Sequence, residues 1–147
     1  MDPSYILYIG YVDGASRFSK NLASIAWAIF IPLHTLVHSN GVCIGFYTNN
    51  QDEYDALIGF LVDSLTHRIL HLHVCLDSLL LVMQLNGVYH VHNQFLFRKY
   101  LQVKLLECEF ETIIVSHIPR AQNSHVDTIA NKILDWHLSH VYQPRQP

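Results

Sequence analysis

The chain has 147 residues, half of them apolar and 14% charged. That length fits one domain able to bury a core without disulfides or a structural metal, and that composition excludes long disordered tails. A formal charge of −3 supplies no general attraction for polyanions, so nucleic-acid binding would need a local basic patch, bound metal ions or an attached module.

Residues 5–12 and 23–31 are rich in Tyr, Ile, Val, Ala and Trp and read as strands separated by the polar turn around Asp13 to Asn21. After Pro32, the stretch from His34 to Phe46 alternates loosely, with Asn40-Gly41 as a turn or bulge in an antiparallel meander. The period then changes. Tyr54, Leu57, Ile58, Leu61, Val62 and Leu65 follow a 3–4 spacing, which predicts an amphipathic helix begun by Asn49 or Asn50.

Residues 69–76 return to strand character, with His71 and His73 on the alternate face. Asp77 or Ser78 can cap a short helix carrying Leu79, Val82 and Met83 and ended by Gly87. Residues 93–107 suit a further helix burying Leu96, Tyr100, Val103 and Leu106. Phe110 to Val115 is a strand, and a last helix from Asn123 or Ser124 buries Val126, Ile129, Ala130, Ile133 and Leu134. The order βββαβααβα gives an α/β fold, a mixed sheet flanked by helices.

Cys43, Cys75 and Cys108 each lie in apolar, strand-like sequence and are expected as buried thiols of a reducing compartment. Met1-Asp2-Pro3 carries no basic run or cleavage pattern, and no apolar stretch reaches the roughly 18 residues of a membrane span. An intracellular location, cytoplasmic or nuclear, is the expectation. Eleven histidines against nine Lys plus Arg make the surface charge responsive to mild acid.

Four acids occupy positions where an α/β sheet collects its site residues. Asp13 is expected to end the first strand at a tight turn, Glu53 lies near the start of the long helix, Asp77 ends another strand, and Asp127 opens the last helix. Each alone has an ordinary structural reading: Asp13-Gly14 as a turn pair, Glu53 and Asp127 in capping boxes, Asp77 as a helix cap. Together they would repel one another unless cations bridge them. Two Mg²⁺ about 4 Å apart could orient an attacking water and stabilise a leaving 3′ oxygen.

These segments resemble the type I ribonuclease H family, especially its reverse-transcriptase-associated and plant-like branch. The likeness rests on Asp13-Gly14-Ala15-Ser16, on Thr48-Asn49-Asn50-Gln51-Asp52-Glu53-Tyr54-Asp55-Ala56-Leu57, on Leu76-Asp77-Ser78-Leu79-Leu80-Leu81-Val82, and on the run from His117-Ile118-Pro119-Arg120 to Val126-Asp127. It implies a ribonuclease H-like domain over 1–143 and a five-stranded mixed sheet in the order 3-2-1-4-5 with helices on its faces; the tail over 144–147, beginning at Pro144, is expected to fray.

The activity implied is cleavage of the RNA strand of RNA–DNA hybrids, leaving 5′-phosphate and 3′-hydroxyl ends. Asp13, Glu53, Asp77 and Asp127 would be at once the catalytic and the metal-binding residues, holding two Mg²⁺ for which Mn²⁺ can substitute. Thr48, Asn49 and Asn50 would contact the hybrid, with Gln84 a further candidate. A reverse transcriptase or polyprotein module is the implied protein partner.

The chain departs from the family pattern in three places. Phe18-Ser19-Lys20-Asn21 replaces the usual glycine-rich turn, the loop before Asp127 lacks the usual mobile histidine, and Tyr89-His90-Val91-His92-Asn93 lacks a basic handle. His117 and His125 remain as candidates for moving protons. The competing reading is a non-catalytic interaction or dimerisation module of the same fold, to which exposed Phe18, Tyr89, Phe95 and Phe97 would point. His137 and His140 could suggest a zinc pair, but no cysteine motif completes it.

Overall fold

Leu22–Ile31 is the most continuous apolar run, and it forms a strand buried on both faces from Leu22 to Ile29. In the computed structural model, which describes residues 6–17, 22–45 and 49–140, this strand is β2. It follows β1 (Tyr8–Arg17) and precedes β3 (Thr35–Gly45). Then come α1 (Asn49–Thr66), β4 (His71–Leu76), α2 (Leu79–Leu85), α3 (Gln94–Glu107), β5 (Thr112–His117), a 3-10 turn over Arg120–Asn123 and α4 (Ser124–His140). The sheet order is β3-β2-β1-β4-β5, with β1–β2 and β2–β3 antiparallel and β1–β4 and β4–β5 parallel. This is the mixed sheet that the resemblance implied.

Strand alternation explains how β2 serves two layers. Ile25, Trp27 and Ile29 enter the main core with Tyr54, Leu57, Phe60 and Leu61 of α1, while Ala26 and Ala28 face Val126 and Ala130 of α4. Alanines on that second face let α4 come close enough for the Ser24 hydroxyl to donate to the Ala130 carbonyl at 2.7 Å. Ser78 caps α2 through the Leu81 N–H, and Asn93 caps α3 through the N–H groups of Phe95 and Leu96. Among the described residues, no helix is long and apolar enough to cross a membrane.

Several expectations are corrected. β1 does not end in a turn at Asp13; it runs on through Arg17, and Asp13, Gly14, Ala15 and Ser16 pair with Ala26, Ile25, Ser24 and Ala23. Pairing with β2 satisfies backbone groups that a turn would have had to satisfy locally. Asn40-Gly41 is neither turn nor bulge but the middle of β3, opposite Trp27 and Ala26. The register shifts fall instead between Ala23 and Ser24 and between Ile29 and Phe30. Gly41 is there for packing, because a Cβ would lie 2.3 Å from Ile133 Cδ1 and 2.8 Å from the Ile25 carbonyl oxygen.

Val62 is exposed despite its helical spacing. Of the three thiols only Cys75 is buried; Cys43 is half-buried and Cys108 is exposed at the end of α3. The tail from Pro144 and the turn containing Phe18 lie outside the described residues.

Gly10 shows how tightly α1 sits on the sheet: a Cβ added there would lie 2.0 Å from Phe60 Cζ, and Phe60 is fully buried. Gly10→Ala should therefore cost roughly 1–3 kcal/mol by overpacking, read by denaturant unfolding. Adding Phe60→Leu should recover part of that loss, since the two positions share one clash. Additive losses in the double variant would show that the two do not compete for space.

Candidate active site

The parallel ladder between β1 and β4 pairs Val12 with Leu76, which sets Asp13 and Asp77 side by side where the two strands end their pairing. Glu53 reaches the same point from the second turn of α1. Oxygen atoms of Asp13, Glu53 and Asp77 all lie within 4.8 Å of one another. Asp127, in the first turn of α4, stands outside this group of three but acts on it by its charge.

Asp13 is only 4% exposed. Burial is the largest influence on its carboxyl, followed by the negative charges of Asp77 and Asp127, and together they push its pKa up to about 7. The Gly14 N–H, donating to Oδ1 at 2.9 Å, and the charge of Arg120 pull in the other direction without winning. The cluster thus concentrates more negative charge than its own surroundings neutralise. Its donors are carboxylate oxygens alone, the hard set that suits Mg²⁺ or Mn²⁺ better than thiophilic or imidazole-seeking ions.

Asn123 is a site residue whose role the sequence reading missed, having seen in it only a helix start. It is buried in the 3-10 turn, and its side-chain amide donates to the Val12 carbonyl at 3.0 Å and to Asp77 Oδ2 at 3.2 Å. One side chain thereby ties β1, the carboxylate after β4 and the approach to α4. The available signal was an Asn midway between the Pro119 break and Asp127, four residues from each.

Of the expected substrate contacts, Asn49 and Asn50 open α1, and Thr48 lies outside the described residues. Gln84 is 8% exposed, and its Oε1 accepts the Tyr54 hydroxyl at 2.6 Å, so here it supports α1 from beneath. His117 ends β5 opposite Leu76, one residue from Asp77, whereas the His125 ring meets the edge of Phe30. His140 stacks on Trp136; among the described residues, His137 and His140 join no group of three metal donors. The link between α2 and α3, residues 86–93, carries no Lys or Arg; in α3, Lys99 pairs with Asp55 at 2.5 Å and Lys104 with Glu107 at 3.0 Å, while Arg98 lines a cavity with Val91 and His92 of the link.

A family model described as reverse transcriptase-like matches residues 11–133. The crystal structure of RNase H1 from Halobacterium salinarum superposes with a TM-score of 0.83 at 34% identity, covering 87% of this chain and 97% of that one. The chain belongs to the type I ribonuclease H family.

The N-terminal RNase H domain of a Mycobacterium tuberculosis protein superposes with a TM-score of 0.84 at 29% identity, covering 93% of this chain and 99% of that one. LC11-RNase H1, solved in complex with an RNA/DNA hybrid, superposes with a TM-score of 0.83 at 31% identity, over 89% of this chain and 99% of that one. Whole proteins are longer. In sequence, this chain spans 63% of the Halobacterium Ribonuclease HI, at 35% identity over 125 residues, and 34% of the Mycobacterium bifunctional protein.

The Asp13 environment sets a pH dependence in the absence of divalent ions. A folded-state pKa of about 7 against 3.8 unfolded means that the folded protein holds the extra proton between those values, so stability falls as pH rises across that window. Asp13→Asn removes this loss. With EDTA present, its melting temperature should match wild type near pH 4 and exceed it at pH 7.5, by an amount equivalent to roughly 1–3 kcal/mol. A difference independent of pH would show that Asp13 is not the group responsible.

Proposed function

We propose that this chain is a metal-dependent endoribonuclease that cleaves the RNA strand of RNA–DNA hybrids. The observation that carries the reading is the convergence of Asp13, Glu53 and Asp77, brought from the middle of β1, a helix and the end of β4 into one cluster of carboxylate oxygens. The family membership supports it, as does the hybrid bound to LC11-RNase H1.

Asp13, Glu53 and Asp77, joined by Asp127, would hold two Mg²⁺, with Mn²⁺ able to replace them. When bound, such ions activate a water and stabilise the leaving 3′ oxygen. The residues around the cluster fix it in place: Gly14 orients Asp13, and Asn123 orients Asp77. Thr48, Asn49 and Asn50, the last two of which open α1, are proposed to meet the hybrid backbone, where groove width and 2′-hydroxyls rather than base identity define the substrate. Cleavage would leave 5′-phosphate and 3′-hydroxyl ends.

The match to a reverse transcriptase-like family supports association with a retroelement polymerase. A domain over 1–143 and an intracellular location, cytoplasmic or nuclear, belong to the same proposal. A non-catalytic interaction module is the second reading, favoured by the exposed Tyr89, Phe95, Phe97 and Leu105.

Asp77→Asn keeps the shape of the side chain and removes one negative ligand. Mg²⁺-dependent cleavage of a labelled hybrid should fall at least about 100-fold while the circular dichroism spectrum is retained. Under matched low salt, duplex DNA should remain intact, and added salt should suppress hybrid cleavage before it perturbs the fold. Equal cleavage by wild type and variant would remove the site from the reaction. Comparable cutting of duplex DNA would overturn the substrate, and no cutting with ions demonstrably bound would favour the interaction module.

A further inference from the structure

The far end of α1 carries a second group of metal donors with different chemistry. Asp63 lies in the last turn of α1, and His67, four residues on, directly follows the helix with its backbone N–H still donating to the Asp63 carbonyl at 3.1 Å. His38 reaches them from the edge strand β3, at the position paired with Ile29. One donor atom from each of the three lies within 4.8 Å of the others, and the two imidazole rings are centred 4.3 Å apart. Ten residues of helix separate Asp63 from Glu53, about 15 Å along the axis, so the group is distinct from the carboxylate cluster.

We propose that His38, Asp63 and His67 form a binding site for Zn²⁺ or a similar late first-row divalent cation. Two imidazoles and one carboxylate are a mixed nitrogen and oxygen set that such ions prefer and that Mg²⁺ does not. The carboxylate is already oriented. The Trp27 indole N–H donates to Asp63 Oδ2 at 2.6 Å, and His38 Nε2 lies 2.7 Å from the same oxygen. Trp27 is itself wedged against α1 at Gly59, where a Cβ would come within 2.9 Å of its ring.

His67 Nδ1 lies 2.8 Å from the Asp63 carbonyl oxygen. With the proton on Nδ1 donated to that carbonyl, Nε2 keeps a lone pair for a cation, the usual arrangement of a ligating histidine. At His38 the cation takes the place of the hydrogen shared with Asp63, and that imidazole carries its proton on Nδ1. Tetrahedral coordination asks for donors about 3.3 Å apart. Side-chain rotation supplies the change, since the His38 and His67 side chains are 30% and 44% exposed against 15% for Asp63. Solvent completes the coordination on that open side. The bound ion would clip the edge strand β3 to α1.

Binding is tested on the cation-stripped protein by Co²⁺ titration followed by visible absorption, by Zn²⁺ competition, and by the melting temperature with Zn²⁺. The expected result is one tightly bound equivalent with tetrahedral Co²⁺ bands and a Zn²⁺-dependent rise in melting temperature. Both should persist in Asp77→Asn and in His137→Gln/His140→Gln. Affinity should weaken by more than about 100-fold in His38→Gln and in His67→Gln, beyond the roughly 10–100-fold that loss of an outer-shell partner causes. His67 is exposed at the end of α1, so its variant reports even if His38→Gln folds poorly.

Unchanged Zn²⁺ affinity in His67→Gln would overturn the proposal, as would loss of binding in Asp77→Asn, which would place the ion among the catalytic carboxylates. Loss confined to the His137 and His140 variant, or no binding by wild type, would also overturn it. None of these readouts involves hybrid cleavage, so the outcome stands apart from that of the proposed nuclease activity.

Discussion

Parallel pairing of β1 with β4 is the constraint from which the site follows. It brings Asp13 and Asp77 together in spite of their mutual repulsion, and the ladder, not the carboxylates, supplies the free energy for doing so. The surrounding structure makes that enforcement possible. Gly10 lets Phe60 of α1 lie directly on β1, which brings the start of the same helix, and with it Glu53, toward Asp13. Small residues of β2 admit α4 on the opposite face, and α4 carries Asp127. The two helical layers are thus delivered to one end of the central β1–β4 ladder by packing that is largely apolar.

Burial raises the cost of this arrangement and also its usefulness. A solvated Asp13 would stay ionised and loosely held; a buried one, facing two like charges, is poised near neutrality without a cation and becomes a strong ligand when a cation arrives. Asn123 matters because it fixes Asp77 by donating to its carboxylate, while the Val12 carbonyl occupies the same amide group. Rigidity comes from the backbone of β1, and the charge is left for an ion.

The two ends of α1 contrast in chemistry. Its beginning joins hard oxygen donors in a cluster made by the sheet. Its end places Asp63 and His67 beneath an edge strand, with an indole N–H holding the carboxylate. The same helix, pinned along its length by Gly10 and Gly59, positions both groups. Edge strands are free on one side, so a contact from His38 to α1 restrains the part of the sheet with fewest neighbours.

The sequence by itself determined the order of elements, the helical faces and the identity of the acids, because periodicity and capping are local properties of the chain. The periods that place Tyr54, Leu57 and Leu61, or Val126, Ala130 and Leu134, in the core need no knowledge of distant residues. Tertiary structure alone decided what depends on a partner far along the chain. Asp13-Gly14 and Asn40-Gly41 look like turns locally, yet both continue as strands because β2 lies between β1 and β3 and pairs with each. Gly41 answers to Ile133, Asn123 to Asp77, and Asp63 to His38, across separations that no local pattern encodes. A polar or glycine residue is ambiguous in sequence for a physical reason: its hydrogen bonds and its free space are assigned only when the chain closes around it.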